Sequence, residues 1–157
     1  MQLFIIIILV VSLGFALIGI TTNYWYQSLS NEFNEGLWVI CHRQSTLSYS
    51  SLNIDSCHKQ PYFKSQGLAV SALVILSISL ILSTIRRYRK NDPILVYLTI
   101  LLLIISIILS IFSYLLHPRD LNVNQFGYSI YFMLISNILS FITTGLLIFS
   151  AIMIQPS

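Results

Sequence analysis

The chain has 157 residues, of which 56% are hydrophobic and only 8% are charged. A soluble domain carries roughly 25% charged residues, so this chain has too few polar side chains to face water on all sides. Its formal net charge is +3, but the positions of the charges say more than their sum. The composition excludes an ordinary soluble domain and predicts a protein covered in part by lipid.

Four apolar runs without Asp, Glu, Lys or Arg follow one another along the chain. They extend over about residues 3–22, 67–85, 94–116 and 128–154. A helix rises about 1.5 Å per residue, so roughly 20 residues cross the ~30 Å hydrocarbon core of a bilayer. A soluble protein of this size cannot bury four such helices on every face. We therefore predict four transmembrane helices in one domain over residues 1–157.

The first apolar run has an alternative interpretation as a cleaved signal peptide. Only Met1 and Gln2 precede it, and neither is basic. The run is longer than the apolar core of a signal peptide, and no clear small-residue cleavage site follows it. We interpret it as a retained first span.

The basic residues indicate the orientation. Four of the eight lie between the second and third spans: Arg86, Arg87, Arg89 and Lys90. Such clusters are enriched on the cytoplasmic side, so loop 86–93 and both termini are predicted to be cytoplasmic, and the loops at about 24–66 and 117–127 to be outside. The cluster then serves as a topology signal and a contact for anionic lipid. A specific phosphoinositide site is the sharper alternative.

Both cysteines, Cys41 and Cys57, fall in the large outer loop. Thiols on that side oxidise, and closing a loop of this length stabilises a fold by about 3 kcal/mol. A zinc site with His42 and His58 is one alternative, but neighbouring strand residues point to opposite faces and the spacing matches no zinc finger. A thiol oxidoreductase is another, but the Cys-x-x-Cys pair is absent. We predict a disulfide, with no metal and no cofactor.

The large outer loop is too long for a simple connection and predicts a small antiparallel sheet. Residues 36–41 are rich in aromatic and β-branched side chains, and residues 52–57 alternate between apolar and polar. Both patterns favour strands, and the polar residues 45–51 between them are typical of a turn. Trp25 and Trp38 are expected to anchor the sheet. The simpler alternatives are an interfacial position for Trp25 and a place in the sheet core for Trp38.

Six residues of this loop stand in the order of a known signature: Trp25, Gly36, Leu37, Trp38, Cys41 and Cys57. The order resembles the W–GLW–C–C signature in the first extracellular loop of claudin-type proteins. That superfamily includes claudins, the peripheral myelin protein 22 and epithelial membrane protein group, and calcium-channel gamma subunits. The short second outer loop and the compact length look most like the peripheral myelin and epithelial membrane protein branch. The resemblance implies an all-α membrane fold, a four-helix transmembrane bundle with a small disulfide-stapled extracellular antiparallel sheet.

The sequence also departs from the family pattern. The two cysteines are separated by 15 intervening residues, and no Asn-x-Ser/Thr sequon occurs. The end of the sequence, residues 154–157, lacks the hydrophobic ligand by which many claudins engage PDZ scaffolds. These departures weaken the expectation of a conventional scaffolded tight-junction strand.

Polar residues in the spans recur at helical spacing. They are Ser106, Ser110 and Ser113 in the third span and Ser136, Ser140 and Thr144 in the fourth. Each set lies on one helical face, where small hydroxylated residues let helices approach and bond across. Asn137 is expected to form an interhelical hydrogen bond. No span holds an ionisable residue, which argues against transport or proton relay.

The sequence shows no nucleophile–base pair, no paired carboxylates in a span and no phosphate-binding glycine loop, so we expect no enzyme. The resemblance implies a plasma-membrane protein for cell–cell contact, junctions or membrane organisation. Its expected partners are the lipid bilayer and other membrane proteins, in homo- or hetero-oligomers in cis or trans. No nucleic acid is expected as a partner. Two alternatives stay open: a claudin proper that forms a paracellular barrier or pore, and an auxiliary subunit of an ion channel.

The charged residues of the large outer loop are the candidates for pore selectivity. They are Glu32, Glu35, Arg43, Asp55, Lys59 and Lys64. With neutral histidines these charges cancel. If the loop lines a pore, the balance predicts weak charge selectivity.

Overall fold

Four long helices dominate the computed structural model, which describes residues 2–27, 33–43, 55–59, 63–88, 93–117 and 125–154. The helices are α1 (Gln2–Thr21), α2 (Phe63–Tyr88), α3 (Pro93–Leu115) and α4 (Tyr128–Ile154). Each is long and apolar enough to cross a membrane. The prediction of four such helices is confirmed. Helix α2 extends beyond its apolar run, residues 67–85, at both ends. Lys and Arg are good helix formers, so the polar residues that flank the run continue the helix.

The helices pack as a bundle in which α1 lies against α4 and α2 against α3 most extensively. On α1 the buried residues recur every three or four positions, as at Ile5, Leu9, Ser12 and Ala16, which places them on one face. The outward faces are apolar, and large side chains such as Phe141 are mostly exposed. The bundle therefore has an apolar exterior as well as a packed interior.

Polar residues inside the bundle join neighbouring helices as the sequence predicts. The Ser12 hydroxyl of α1 lies 2.9 Å from the Ser136 carbonyl oxygen and 2.9 Å from the Ser140 hydroxyl, both on α4. The Asn137 amide donates to the Ser110 hydroxyl at 3.1 Å and to the Tyr114 hydroxyl at 3.2 Å, both on α3. The expected interhelical hydrogen bond of Asn137 is confirmed.

One end of the bundle carries an antiparallel sheet, and we call it the sheet end. The strands are β1 (Tyr26–Gln27), β2 (Phe33–Glu35), β3 (Val39–Arg43), β4 (Asp55–Lys59) and β5 (Gln125–Phe126). Their order is β4-β3-β2-β1-β5, with every pair antiparallel. Strand β5 comes from the connection between α3 and α4, whereas the others lie between α1 and α2. The expected small sheet is confirmed, and it includes both connections rather than one.

Close backbone approach explains why β5 can join the sheet. The Gly127 amide donates to the Trp25 carbonyl oxygen at 2.8 Å. A Cβ on Gly127 would lie 1.8 Å from the Tyr24 carbonyl oxygen, a distance that no side chain can occupy. Only glycine lets α4 begin directly beside β1.

The strand predicted for residues 36–41 is only partly correct. Glu35 and Ile40 are register partners, and the Gly36 amide donates to the Val39 carbonyl oxygen at 2.9 Å. Leu37 and Trp38 therefore form the tip of a tight hairpin rather than strand residues. Residues 45–51, predicted as a turn, and residues 52–54 lie outside the described residues.

Candidate recognition surface and its anchor

The disulfide joins the two strands that the sequence predicted to be stapled. Cys41 on β3 and Cys57 on β4 are direct register partners, and their sulfur atoms are 2.06 Å apart. The disulfide is confirmed, and the thiols are therefore not free to bind zinc with His42 and His58. Among the described residues no group of three His, Cys, Asp or Glu side chains could hold a metal ion.

Trp25 is fully buried beneath the sheet. Its indole Nε1 donates to the Gly19 carbonyl oxygen of α1 at 2.8 Å, and its backbone amide donates to the Glu35 carbonyl oxygen at 2.7 Å. The ring also packs at a tilt against Tyr114 of α3. Trp25 is thus an anchor between bundle and sheet, and it does not take the interfacial position that was its simpler alternative.

The hairpin of Leu37 and Trp38 is tied to two helices. The buried Leu37 supplies its carbonyl oxygen to the Gln66 amide of α2 at 2.9 Å. The Trp38 indole donates to the Ile20 carbonyl oxygen of α1 at 2.9 Å, and the side chain stays 37% exposed. Trp38 therefore anchors the sheet from its rim, and its alternative place in the sheet core is wrong.

A buried polar group connects the sheet to two helices, and we call it the Glu35–His117–Ser65 anchor. The His117 Nε2 atom lies 3.3 Å from the Glu35 Oε1 atom, within ion-pair distance, and both side chains are almost fully buried. On the other side of the ring, His117 Nδ1 lies 3.1 Å from the Ser65 hydroxyl. The anchor links β2 to the start of α2 and to the residues that follow α3.

Aromatic rings enclose the imidazole of this anchor. Tyr26 stacks on His117 with ring centroids 5.4 Å apart, and Trp25 lies at 5.3 Å with a tilted ring. These rings cover the imidazole, which is about 2% exposed, and pack it in place beside the Glu35 carboxylate.

Burial of Glu35 corrects its role as a candidate loop charge. The side chain is about 2% exposed and turned toward His117, because a carboxylate beside a histidine can be buried where a lone carboxylate cannot. It cannot face a pore. Of the six loop charges, three basic and two acidic residues then remain, which leaves a formal charge of +1.

The other loop charges are placed to different degrees. Lys59 on β4 and Lys64 on α2 are exposed. Arg43 and Asp55 are register partners in the backbone pairing of β3 and β4. Glu32 lies outside the described residues, so its contribution to the surface stays a prediction.

A serine, a histidine and a carboxylate are also the groups of an acyl-transfer triad. A triad needs a nucleophile that a substrate can reach. Ser65 is about 1% exposed, and its carbonyl oxygen accepts a hydrogen bond from the Ser113 hydroxyl of α3 at 3.0 Å. The geometry is that of a structural joint. The absence of enzymatic activity stays a prediction.

Sequence reasoning missed His117 and Ser65 as parts of the anchor. They are separated by 52 positions, and no local pattern connects them with Glu35. The only signal in the sequence is that Glu35 directly precedes Gly36-Leu37-Trp38, while His117 directly follows the third apolar run. That signal places both side chains at the sheet end but does not pair them.

Arg86 and Arg87, the two described residues of the basic cluster, lie in the last turn of α2 at the end of the bundle opposite the sheet, which we call the arginine end. Arg87 is exposed, as expected of a topology signal or lipid contact, whereas Arg89 and Lys90 lie outside the described residues. Arg86 departs from the prediction of a loop residue. It belongs to α2, is 5% exposed, and its Nη2 atom donates to the Ser150 hydroxyl of α4 at 3.2 Å. The helix continues through it, so its side chain turns into the bundle.

Comparison of the sequence with models of protein families finds no matching family, and comparison with curated proteins finds no match. The claudin-type resemblance therefore depends on the signature residues, their order and the four apolar helices.

Proposed function

We propose that this chain is a four-span plasma-membrane protein of the claudin type that contacts other membrane proteins through the sheet. The observation that carries the proposal is that segments of both connections at one end of the bundle form a single sheet, stapled by the Cys41–Cys57 disulfide. A sheet fixed in this way is a folded surface beyond the four apolar helices. Presenting that surface is the function that the geometry supports best.

Two independent features support an outward-facing sheet. A disulfide persists in the oxidising space outside the cell or in the secretory lumen. Arg86 and Arg87 lie at the opposite end of α2 from the sheet, and basic residues favour the cytoplasmic side. Both termini then belong to the cytoplasmic side, since the number of spans is even.

The edge of the sheet is the part that best suits a partner. Strand β4 is the outermost strand among those described, and Cys57, His58 and Lys59 on it are exposed. At the other edge, Phe126 of β5 is 53% exposed. An exposed strand edge offers backbone donors and acceptors to a second chain. We place the contact at β4, in trans between cells or in cis within one membrane.

Expression in cells that lack junctions, mixed with cells that do not express the protein, tests this proposal. We expect the protein to concentrate at contacts between two expressing cells, and Lys59→Glu on β4 to reduce this enrichment. The matched control is Arg87→Glu, which reverses an exposed charge at the arginine end and should leave the enrichment unchanged. Uniform distribution of the unaltered protein at the surface would contradict contact in trans.

Freeze-fracture imaging of the same cells separates the candidate functions. Strands would favour a claudin proper, and a diffuse signal would favour membrane organisation or a channel subunit. Co-purification with a large channel polypeptide would favour the channel subunit, and its absence would count against it.

For the alternative of a claudin proper, the structure changes the ion selectivity that we expect. Because Glu35 is buried with His117, the loop charges that could face a pore sum to +1 rather than zero. Dilution potentials across a monolayer should show a modest preference for anions. A strong cation preference would contradict a pore lined by this loop.

A further inference from the structure

The guanidinium of Arg86 is buried at the arginine end without an acidic partner among the described residues. Its one hydrogen-bond partner there is the neutral Ser150 hydroxyl. Glu35 is the only acidic residue whose side chain the structure describes, and it lies at the sheet end. A guanidinium carries five N–H donors, and a buried charge is stable only when it is paired and hydrogen-bonded. Within the described ranges, most of the bonding capacity of Arg86 is therefore unused.

A second buried group beside Arg86 is also unused. Ser83 lies three positions before Arg86 on α2, which places both on one helical face. Its side chain is 6% exposed, and its hydroxyl has no hydrogen-bond partner among the residues that the structure describes. A hydroxyl beside an unsatisfied guanidinium is a donor set that suits an oxyanion.

The position of these groups restricts the source of an anion. Arg86 lies less than one turn from the end of α2 at Tyr88, and Ser150 lies about one turn from the end of α4. Helices α1 and α3 begin at this same end, while α2 and α4 end there, so the helix dipoles oppose one another and the charge of Arg86 dominates. If the sheet faces outward, the arginine end meets the headgroups of the inner leaflet, which is rich in anionic lipid.

We propose that Arg86, with Ser150 and Ser83, binds the phosphate of one anionic lipid headgroup at the cytoplasmic end of the bundle. The guanidinium binds two phosphate oxygens in the fork geometry that arginine adopts with phosphate, while the two serine hydroxyls donate to the remaining oxygens. The assignment to the inner leaflet rests on the proposed function, whereas the site itself does not. The exposed Arg87 adds only long-range attraction.

Thermal unfolding of the full chain in neutral detergent micelles tests this site without reference to orientation. Short-chain phosphatidic acid should raise the unfolding midpoint, while phosphatidylcholine of the same chain length should not. Arg86→Gln should weaken the apparent affinity for phosphatidic acid about tenfold or more, as loss of a charge-assisted pair predicts. The matched control Arg87→Gln should keep the response.

Ser83→Ala gives a second test if Arg86→Gln does not fold. Because the Ser83 hydroxyl has no partner within the described part of the chain, its removal should leave the lipid-free midpoint unchanged and lower the lipid response. Ser77→Ala on the same helix is the control, since Ser77 bonds the Leu73 carbonyl oxygen of its own helix, and it should keep the response.

Three outcomes would overturn the proposal. The first is an equal response in Arg86→Gln and the unaltered protein. The second is equal stabilisation by inorganic phosphate, which would assign the site to a free anion. The third concerns Asp92, an acidic residue of loop 86–93 that lies outside the described residues. If phosphatidic acid stabilises the Asp92→Asn variant but not the unaltered protein, Asp92 rather than a lipid is the counter-charge of Arg86. Failure of the cell-contact experiment would leave the micelle result unaffected, so the two proposals can fail separately.

Discussion

The two ends of the bundle each bury a charge, and they treat it differently. At the sheet end, Glu35 faces His117 at 3.3 Å, and Ser65 completes the imidazole on its other side. At the arginine end, Arg86 faces only the Ser150 hydroxyl among the described residues. The sheet end therefore sets its buried carboxylate beside an imidazole of the same chain, and a sheet held in this way can present a fixed surface. The arginine end is where we propose that an outside group binds.

Breaking the pair at the sheet end should have the largest effect. His117→Leu removes the imidazole that faces the buried Glu35 carboxylate, which costs about 3–5 kcal/mol of unfolding free energy. Thermal unfolding in micelles measures the loss. The double variant Glu35→Leu/His117→Leu removes both buried polar side chains and should recover much of the stability. A midpoint for His117→Leu equal to that of the unaltered protein would show that the pair does not hold the sheet.

Removing the Cys41–Cys57 disulfide should have the second-largest effect on stability. Cys41→Ser opens the β3–β4 disulfide and costs about 3 kcal/mol, because the unfolded chain gains the freedom of an open loop. The variant should remain in the early secretory route, measured as the fraction of protein at the cell surface. Cys57→Ser breaks the same bond and serves as the control, since it should lose as much. Normal surface levels of either variant would contradict the account.

Loss of one bond inside the bundle should have the smallest effect. Ser12→Ala removes the hydroxyl that links α1 to Ser136 and Ser140 of α4, at a cost of about 1 kcal/mol for an interhelical hydrogen bond in lipid. Ser77→Ala removes a hydroxyl that bonds only within α2 and should cost less. Equal losses would mean that the cross-helix bonds add nothing to packing.

The features that the sequence predicted correctly depend on local pattern. Four charge-free runs are enough to give the helices, and spacings of three and four give the buried face of Ser106, Ser110 and Ser113. The disulfide was predicted because both cysteines lie in one loop on the side of the membrane where thiols oxidise. Each of these needs only neighbouring residues or chain order, which the sequence contains directly.

The features that were missed depend on how distant segments meet. Strand β5 has two residues and joins the sheet because Gly127 lets the backbone approach Tyr24. Glu35 and Arg86 both look like surface charges in the sequence. Glu35 is buried against His117, a residue 82 positions away. Arg86 is buried because α2 continues past its apolar run and turns the side chain into the bundle. A one-dimensional pattern cannot show such partners, so the anchor required the structure.

The two native cysteines can show whether the sheet end is stapled by a disulfide and whether it faces outward. Intact cells would be treated with a membrane-impermeant maleimide before and after an impermeant reductant. We expect no labelling before reduction and labelling of both Cys41 and Cys57 after it, without permeabilisation. Labelling before reduction would show free thiols, and labelling only after permeabilisation would place the sheet on the cytoplasmic side; either result would contradict the account.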